Sequence, residues 1–381
     1  MNIRALVNLD ALEQNYQILR SSIGKDVKFC AVVKADAYGH GAVAVSKLYE
    51  ELGAEYLAVA RVSEGEELKR ARINLPLLLL GPSDEIEKAI KLGLELPISN
   101  IDQAKDIDKI AKKLKVVAKI QITIDSGMGR LGFVANDENN SEICAEIYEI
   151  SKFKNLKING IFTHFSNADN EGDKFTSTQL KRFNLVLEKL KSLNIQIPLI
   201  HASNSAGILR YKNTHFNMVR GGIACYGYLP LSSSTNPIKL TPAMSLEAKV
   251  ANVKTLPKGS PIGYGMKYFV VDELEKIITI NIGYADGFLR AQKEPEVIVN
   301  GMICPVVGRI CMDLCMVKTP LNIKVKTGDW VEIFGPNLIT AESLATKNST
   351  ISYEILCLVS RRVPRVYIKD KKVVKINDYL A

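Results

Sequence analysis

The 381-residue chain contains no uninterrupted apolar run approaching the ~20 residues of a membrane-spanning helix. Its opening, MNIRALVNLDALEQNY, passes straight into an amphipathic pattern without the apolar core of a secretory leader. Both absences predict a soluble, cytoplasmic protein with no membrane partner. There is no CxxC pair and no HExxH, so the common zinc signatures are missing and no metal is expected. Seven cysteines, an odd number spread from Cys30 to Cys357, do not read as a disulfide framework and suit a reducing compartment. Charge of one sign is also scarce as a block. The 50 Lys and Arg against 41 Asp and Glu leave +9, but the two signs mix in stretches such as SEGEELKRARI, which read as solvated helix faces. Nucleic acid is therefore not an expected partner. One basic concentration remains, RRVPRVYIKDKKVVK, and its apolar alternation reads more simply as a basic edge strand than as an anion-binding surface.

With 47% hydrophobic and 24% charged residues, the composition is that of a folded globular protein, and the length predicts about two domains. From residue 28 to 227, short apolar runs alternate with longer amphipathic ones, as in repeated βα units. Eight such runs occur: 28–35, 56–60, 75–80, 94–99, 119–125, 157–164, 197–203 and 215–221. Segments between them, such as IDQAKDIDKIAKKLK and TSTQLKRFNLVLEKLKSL, carry helical spacing and begin near capping residues; SAGILRYKN is the weakest. Eight parallel strands with crossover helices predict a (β/α)8 TIM-type barrel, with a doubly wound open sheet as the competitor. After residue 229 the texture changes. LPLSSSTNPIKL reads as a linker, and the later runs alternate apolar and polar residues between Gly, Pro and Asn turns. The expected division is a barrel over 1–235 and an antiparallel β domain over 236–381.

Reactive groups of such barrels sit at the C-terminal strand ends. Lys34 ends the first run and is followed by ADAYGHG, where glycines let the backbone turn and Tyr38 lies about one helical turn onward. A partly desolvated lysine there is a candidate Schiff-base amine; a strand-end lysine reaching back to solvent is the bland alternative. His164, His201 and Arg220 end the sixth, seventh and eighth runs on the same rim, and each histidine is equally well a core hydrogen-bonder. No carboxylate or thiol partners them at ligand spacing, which disfavours a metal. HASNSAG and RGGIACYG supply small residues and backbone N–H groups suited to a phosphate. In DSGMGRLGF, glycines surround Arg130, a residue well matched to carboxylates. In the second domain, Tyr264 and Tyr284 taken alone read as core or turn tyrosines. A strand-end lysine, a phosphate-suited rim and an arginine on the last strand together suggest pyridoxal phosphate.

The motifs AVVKADAYGHG, IDSGMGRLG, GIFTHFSNAD, HASNSAG, NMVRGGIACYG, GYGMKY, IGYADGF, GRICMD, SYEILC and SRRVPRVY resemble, in order and along nearly the whole chain, those of bacterial alanine racemases, fold-type III pyridoxal-phosphate enzymes. The resemblance implies a homodimer with shared active sites that interconverts L- and D-alanine and supplies D-alanine for peptidoglycan. It implies Lys34 as the cofactor lysine and the base on the D-alanine face, and the partner subunit's Tyr264 as the base on the L-alanine face. It places Arg220 at the pyridine nitrogen, with His164 and His201 in its network. It assigns Tyr38, Ser205, Gly222, Ile223 and Tyr353 to the phosphate with Asn204 nearby. Arg130 and the backbone of Met312 would meet the substrate carboxylate, with Asp313 and Tyr284 shaping the entrance from the partner.

The chain also departs from the pattern. Where many members carry a carbamylated lysine paired with the substrate-facing arginine, it has Thr123, so Arg130 is expected to be positioned by a bound anion such as chloride or by another neighbour. Gly221 stands where proline is frequent and Leu314 where glutamine is common. The alternatives are a racemase of broader specificity, for serine or basic amino acids, a pyridoxal-phosphate decarboxylase, and a non-enzymatic cofactor carrier. The decarboxylase fits poorly with paired bases and an arginine on the carboxylate; the carrier lacks the β domain that donates Tyr264.

Overall fold

A run of leucine, isoleucine and valine too short for a helix forms a strand most readily when both of its faces can be buried. Leu77–Leu79 shows the outcome, since all three side chains are inaccessible. In the computed structural model, which describes residues 1–138, 140–170, 172–230 and 238–380, eight such strands lie parallel in chain order. They are Lys28–Val32, Tyr56–Val59, Leu77–Leu79, Leu96–Ile98, Ala118–Asp125, Leu156–Phe162, Leu199–His201 and Met218–Gly221. Met218 pairs with Lys28, and a bridge from Leu78 to Glu95 joins the third strand to the fourth, so the sheet closes into a barrel. Closure rules out the open doubly wound sheet. Each strand matches one of the eight runs read from the sequence.

The crossover helices follow their local signals. Ile101–Leu114 starts where the Asn100 side chain accepts the Gln103 N–H and ends where Lys115 turns left-handed. The longest helix, Phe175–Ser192, buries Phe183, Val186 and Leu190 against the barrel. The weakest spacing forms only the short helix Ser205–Arg210. No helix among the described residues is long and apolar enough to cross a membrane.

The second domain is a nine-stranded sheet built around the 14-residue strand Met244–Pro257. That strand pairs antiparallel with both Leu274–Ile280 and Trp330–Phe334, so six strands curl into a small barrel. Two features depart from the expected division. Ile3–Asn8 belongs to this second sheet, antiparallel to Met244–Pro257 and parallel to Arg365–Lys369, rather than to the first barrel. Pairing partners more than 200 residues apart leave no trace in local periodicity. The boundary at 235/236, inside the expected linker, lies outside the described residues. Two short helices, Ala341–Lys347 and Ser352–Leu358, also interrupt the β domain.

The basic segment is a correction too. Arg365–Lys369 is an interior strand between Ile3–Asn8 and Lys372–Asn377, and only the latter forms the sheet edge. Arg365 is 0% exposed and donates to the carbonyls of Gly39, Val359, Ser360 and Val363. One hydrophobic cluster runs from the barrel into the β domain, which ties the lysine-bearing end of the first barrel strand to the second domain.

Candidate active site

Lys34 leaves the first barrel strand one residue after Val33, and Ala35, Asp36, Ala37 and Tyr38 then adopt φ between 52° and 55°. Non-glycine residues in this left-handed region cost roughly 1–2 kcal/mol each, so a run of four persists only when its surroundings hold it. Glu64 Oε1 accepts the Ala35 N–H at 2.7 Å, and Asp36 Oδ1 accepts the Ala42 N–H at 2.8 Å. His40 Nδ1 lies 3.1 Å from the Ala37 carbonyl and 2.9 Å from that of Tyr38, close enough to donate to both. Arg365 Nε donates to the Gly39 carbonyl at 2.9 Å. Gly39 itself has no alternative, because a Cβ there would lie 2.3 Å from the Leu356 oxygen. The turn therefore begins in alanine and aspartate, before the glycines to which the sequence reading credited it. Burial, and next the Arg130 charge, hold the Lys34 amine below the usual lysine range, with Glu64 and Cys357 opposing.

Arg220, on the last barrel strand, points its guanidinium into the barrel. It donates to His201 Nδ1 at 2.6 Å and to the Thr163 and Ala202 carbonyls at 2.8 and 2.9 Å, and lies 3.2 Å from His164 Nδ1. Arginine only donates, so His201 Nδ1 accepts and its proton sits on Nε2. Nε2 faces Gln121 Oε1 at 2.7 Å, and Gln121 Nε2 donates to Glu95 Oε2 at 2.6 Å. Asn159 and Tyr56 complete the Glu95 carboxylate. A buried guanidinium at the rim is thus linked to a buried carboxylate deeper in the barrel through two neutral side chains. Burial pulls Arg220 down to about 10, which leaves it charged at neutral pH. Burial, followed by the Arg220 charge, holds both His164 and His201 far below the usual histidine range, so both stay neutral.

Across the rim, Ser205 Oγ accepts the Gly222 and Ala224 N–H groups at 2.9 and 3.3 Å, and Asn204 caps the following helix at Gly207 N. Tyr38 packs between Tyr226 and Tyr353, with ring centroids 4.8 and 6.0 Å away. A Cβ on Gly222 would lie 3.0 Å from the Tyr38 hydroxyl and 3.6 Å from Ser205 Oγ, so glycine keeps open the space these donors overlook. Ile223 is buried beside it. Burial keeps the Tyr38 and Tyr353 phenols protonated, and therefore available as donors. Hydroxyls and backbone N–H groups without a carboxylate suit a phosphate dianion.

Arg130 is exposed at the end of a loop organised by Asp125, whose Oδ1 accepts the N–H groups of Gly127, Met128 and Gly129 and whose Oδ2 accepts that of Arg130. Thr123, His164 and Arg130 line a cavity of about 30 Å³, and the buried Thr123 Oγ1 has no partner among the described residues. On the second domain, Tyr264 is 72% exposed, Met312 53% and Tyr284 42%, while Asp313 pairs with Arg362 at 2.6 Å. No hydrogen bond, ion pair or ring contact joins these four to the Lys34 group among the described residues.

Several supporting residues escaped the sequence reading. Glu64, assigned to a solvated face, instead accepts the Ala60, Arg61 and Ala35 N–H groups and anchors the lysine turn. Asp125 did carry a signal, an acceptor at the mouth of a glycine loop. Gln121 and Glu95 had none, because a polar residue inside a barrel run looks like any outward-facing one.

The buried histidines make stability pH-dependent. Burial lowers His40 from 6.5 to about 4 in the folded protein. The unfolded chain then binds the extra proton in that interval, so stability is full above about pH 6.5 and falls as the pH drops toward 4, by about 1.4 kcal/mol per unit and per group. Urea unfolding at pH 7.5, 6 and 5 should show the decline, and a flat profile would contradict the neutral assignments.

Two family models match the chain, the alanine racemase N-terminal domain over residues 7–230 and the alanine racemase C-terminal domain over 243–367. The alanine racemase of Clostridium novyi is 41% identical over 384 residues, an alignment covering 99% of this chain and 98% of the relative. Among solved structures, the alanine racemase of Clostridium difficile 630 superposes with a TM-score of 0.97 at 41% identity, covering 100% of this chain and 99% of that one. The Bartonella henselae alanine racemase, described with covalently bound pyridoxal phosphate, has a TM-score of 0.85 at 29% identity, over 97% of this chain and 100% of that one. With both domains matched and relatives aligned nearly end to end, the chain belongs to the alanine racemase family.

Proposed function

We propose that the protein interconverts L- and D-alanine with pyridoxal phosphate held at Lys34, as a homodimer in which the partner subunit's Tyr264 completes each site. The observation that carries this reading is the half-buried Lys34 amine, with its depressed pKa, set on a rim that also bears the Arg220 network and the Tyr38–Ser205–Gly222 cradle. Bound there, pyridoxal phosphate supplies the electron sink that makes the alanine Cα–H acidic.

The chain's own residues divide the remaining work. Tyr38, Ser205, Gly222, Ile223 and Tyr353 hold the phosphate, with Asn204 fixing the loop. Arg220 would hold the pyridine nitrogen as a donor, and because a guanidinium does not readily yield its proton, it would restrain the electron sink and disfavour transamination. Lys34, neutral more readily than an ordinary lysine, takes or returns the Cα proton on one face. Racemisation needs a second base on the opposite face, because a proton returned from the side it left restores the starting enantiomer. The partner subunit's Tyr264 fills that role. Arg130 and the backbone of the partner subunit's Met312 meet the carboxylate, and the partner subunit's Tyr284 and Asp313 shape the entrance.

Chiral chromatography of L-alanine incubated with the purified protein and cofactor tests the reading, with a panel of serine, lysine and arginine to measure breadth. Absence of D-alanine would overturn it, and carbon dioxide release would indicate a decarboxylase.

Thr123 adds a separate expectation. Its unpartnered hydroxyl and the Arg130 guanidinium flank a cavity with room for one small anion. Chloride bound there stabilises the fold by mass action, so replacing it with gluconate at constant ionic strength should lower Tm by about a degree or more and raise the alanine KM. An unchanged Tm and KM would remove the anion.

A further inference from the structure

The left-handed turn after Lys34 is held from two directions. Glu64 grips it from the barrel, while its second clamp comes from the far end of the chain. The Tyr379 hydroxyl donates to the Asp36 carboxylate, 2.8 Å from Oδ2 and 3.1 Å from Oδ1, two residues beyond the lysine. Asp36 Oδ1 simultaneously accepts the Ala42 N–H. The Tyr379 ring lies against Arg361 and Arg365, whose guanidinium carbons sit 4.5 and 5.4 Å from its centroid. The same two arginines approach the Asp36 carboxylate at 3.8 and 4.0 Å, and Arg365 also holds the Gly39 carbonyl. Tyr367 packs on Gly41 so closely that a Cβ there would meet its hydroxyl. The basic motif SRRVPRVY, whose alternation predicts a basic edge strand, is therefore the base on which the lysine turn rests.

We propose that Tyr379 is a positioning residue for Lys34, acting through Asp36 to keep the left-handed turn wound so that the amine faces the cofactor aldehyde. The inference rests on the proposed cofactor role of Lys34. A phenol that donates to a carboxylate between two guanidiniums is a directional, charge-assisted contact, roughly twice as strong as a neutral hydrogen bond. Residues 35–38 sit in an unfavourable region, so loss of one clamp shifts the turn toward ordinary backbone and moves the amine. Reacting groups are sensitive to misplacement on the ångström scale.

The step that reports this is capture of the cofactor. Lys34 Nζ forms a C=N bond to the aldehyde carbon, and the aldehyde oxygen departs as water. Borohydride then reduces that bond to a stable amine, which adds a countable mass without any need for turnover. In full-length apo-protein, Tyr379→Phe, which keeps the ring and loses only the hydroxyl, should slow capture of added pyridoxal phosphate about tenfold. In the loaded enzyme it should lower kcat with little change in alanine KM. Asp36→Asn, which removes the charge from the acceptor, should slow capture comparably, and the double variant should be no slower than the worse single one, because both act on the same contact. Glu67→Gln takes away the other partner of Arg361 and controls for general loosening. Wild-type capture rates in Tyr379→Phe, or equal slowing in Glu67→Gln at matched loss of Tm, would overturn the proposal. If Tyr379→Phe fails to fold, Asp36→Asn measured against Glu67→Gln decides it by the same criteria. Failure of the wild-type protein to gain the reduced adduct at Lys34 would instead remove the functional reading beneath it.

Discussion

Lys34→Ala should lose the covalent cofactor link and slow alanine racemisation by at least about a thousandfold, since the proposed mechanism makes this one residue both attachment point and one of two bases. Cofactor absorbance and chiral chromatography read the two losses separately. The structure makes the loss hard to compensate. No other lysine leaves a barrel strand into the same left-handed turn among the described residues, and the amine's lowered pKa depends on burial beside Arg130. Exogenous methylamine should restore part of the proton transfer while leaving the cofactor unattached. Retention of wild-type turnover would show that the base lies elsewhere.

Tyr264→Phe should keep the cofactor link and slow exchange of the Cα proton by about a hundredfold or more from L-alanine, with a smaller effect from D-alanine. Deuterium uptake from each enantiomer in separate reactions makes the comparison. Equal slowing from both sides would remove the two-base assignment. Because Tyr264 is exposed in the isolated chain, the same variant also tests the assembly. Lys34→Ala and Tyr264→Phe protomers, each nearly inactive alone, should regain about a quarter of wild-type activity when refolded together in equal amounts. Half of the resulting dimers are mixed, and each mixed dimer has one site with neither lesion. No recovery would mean that both residues act within one chain.

Much of the fold could be read directly. Each of the eight apolar runs is a barrel strand, because burial on both faces of a parallel sheet demands such runs and leaves no place for them elsewhere. The rim residues were legible too, since Arg220 lies on the last barrel strand and Lys34 and His164 lie two residues past the strand ends at Val32 and Phe162, which puts all three at the C-terminal mouth. What local sequence does not carry is a distant partner. Ile3–Asn8 joined the second sheet through Met244–Pro257 and Arg365–Lys369, and Glu64 turned inward to three backbone N–H groups.

By itself, the sequence determined the βα rhythm, the order of the strands and the identity of the rim residues, because those follow from local periodicity and from which atoms a side chain carries. Only the tertiary structure decided that four non-glycine residues after Lys34 wind left-handed, that His201 keeps its proton on Nε2, and that Arg365 is buried beneath the lysine turn. The left-handed run and the buried guanidinium are locally costly. Each is stabilised by hydrogen bonds from segments remote in the chain, and such energy is set by three-dimensional proximity that no window of sequence contains.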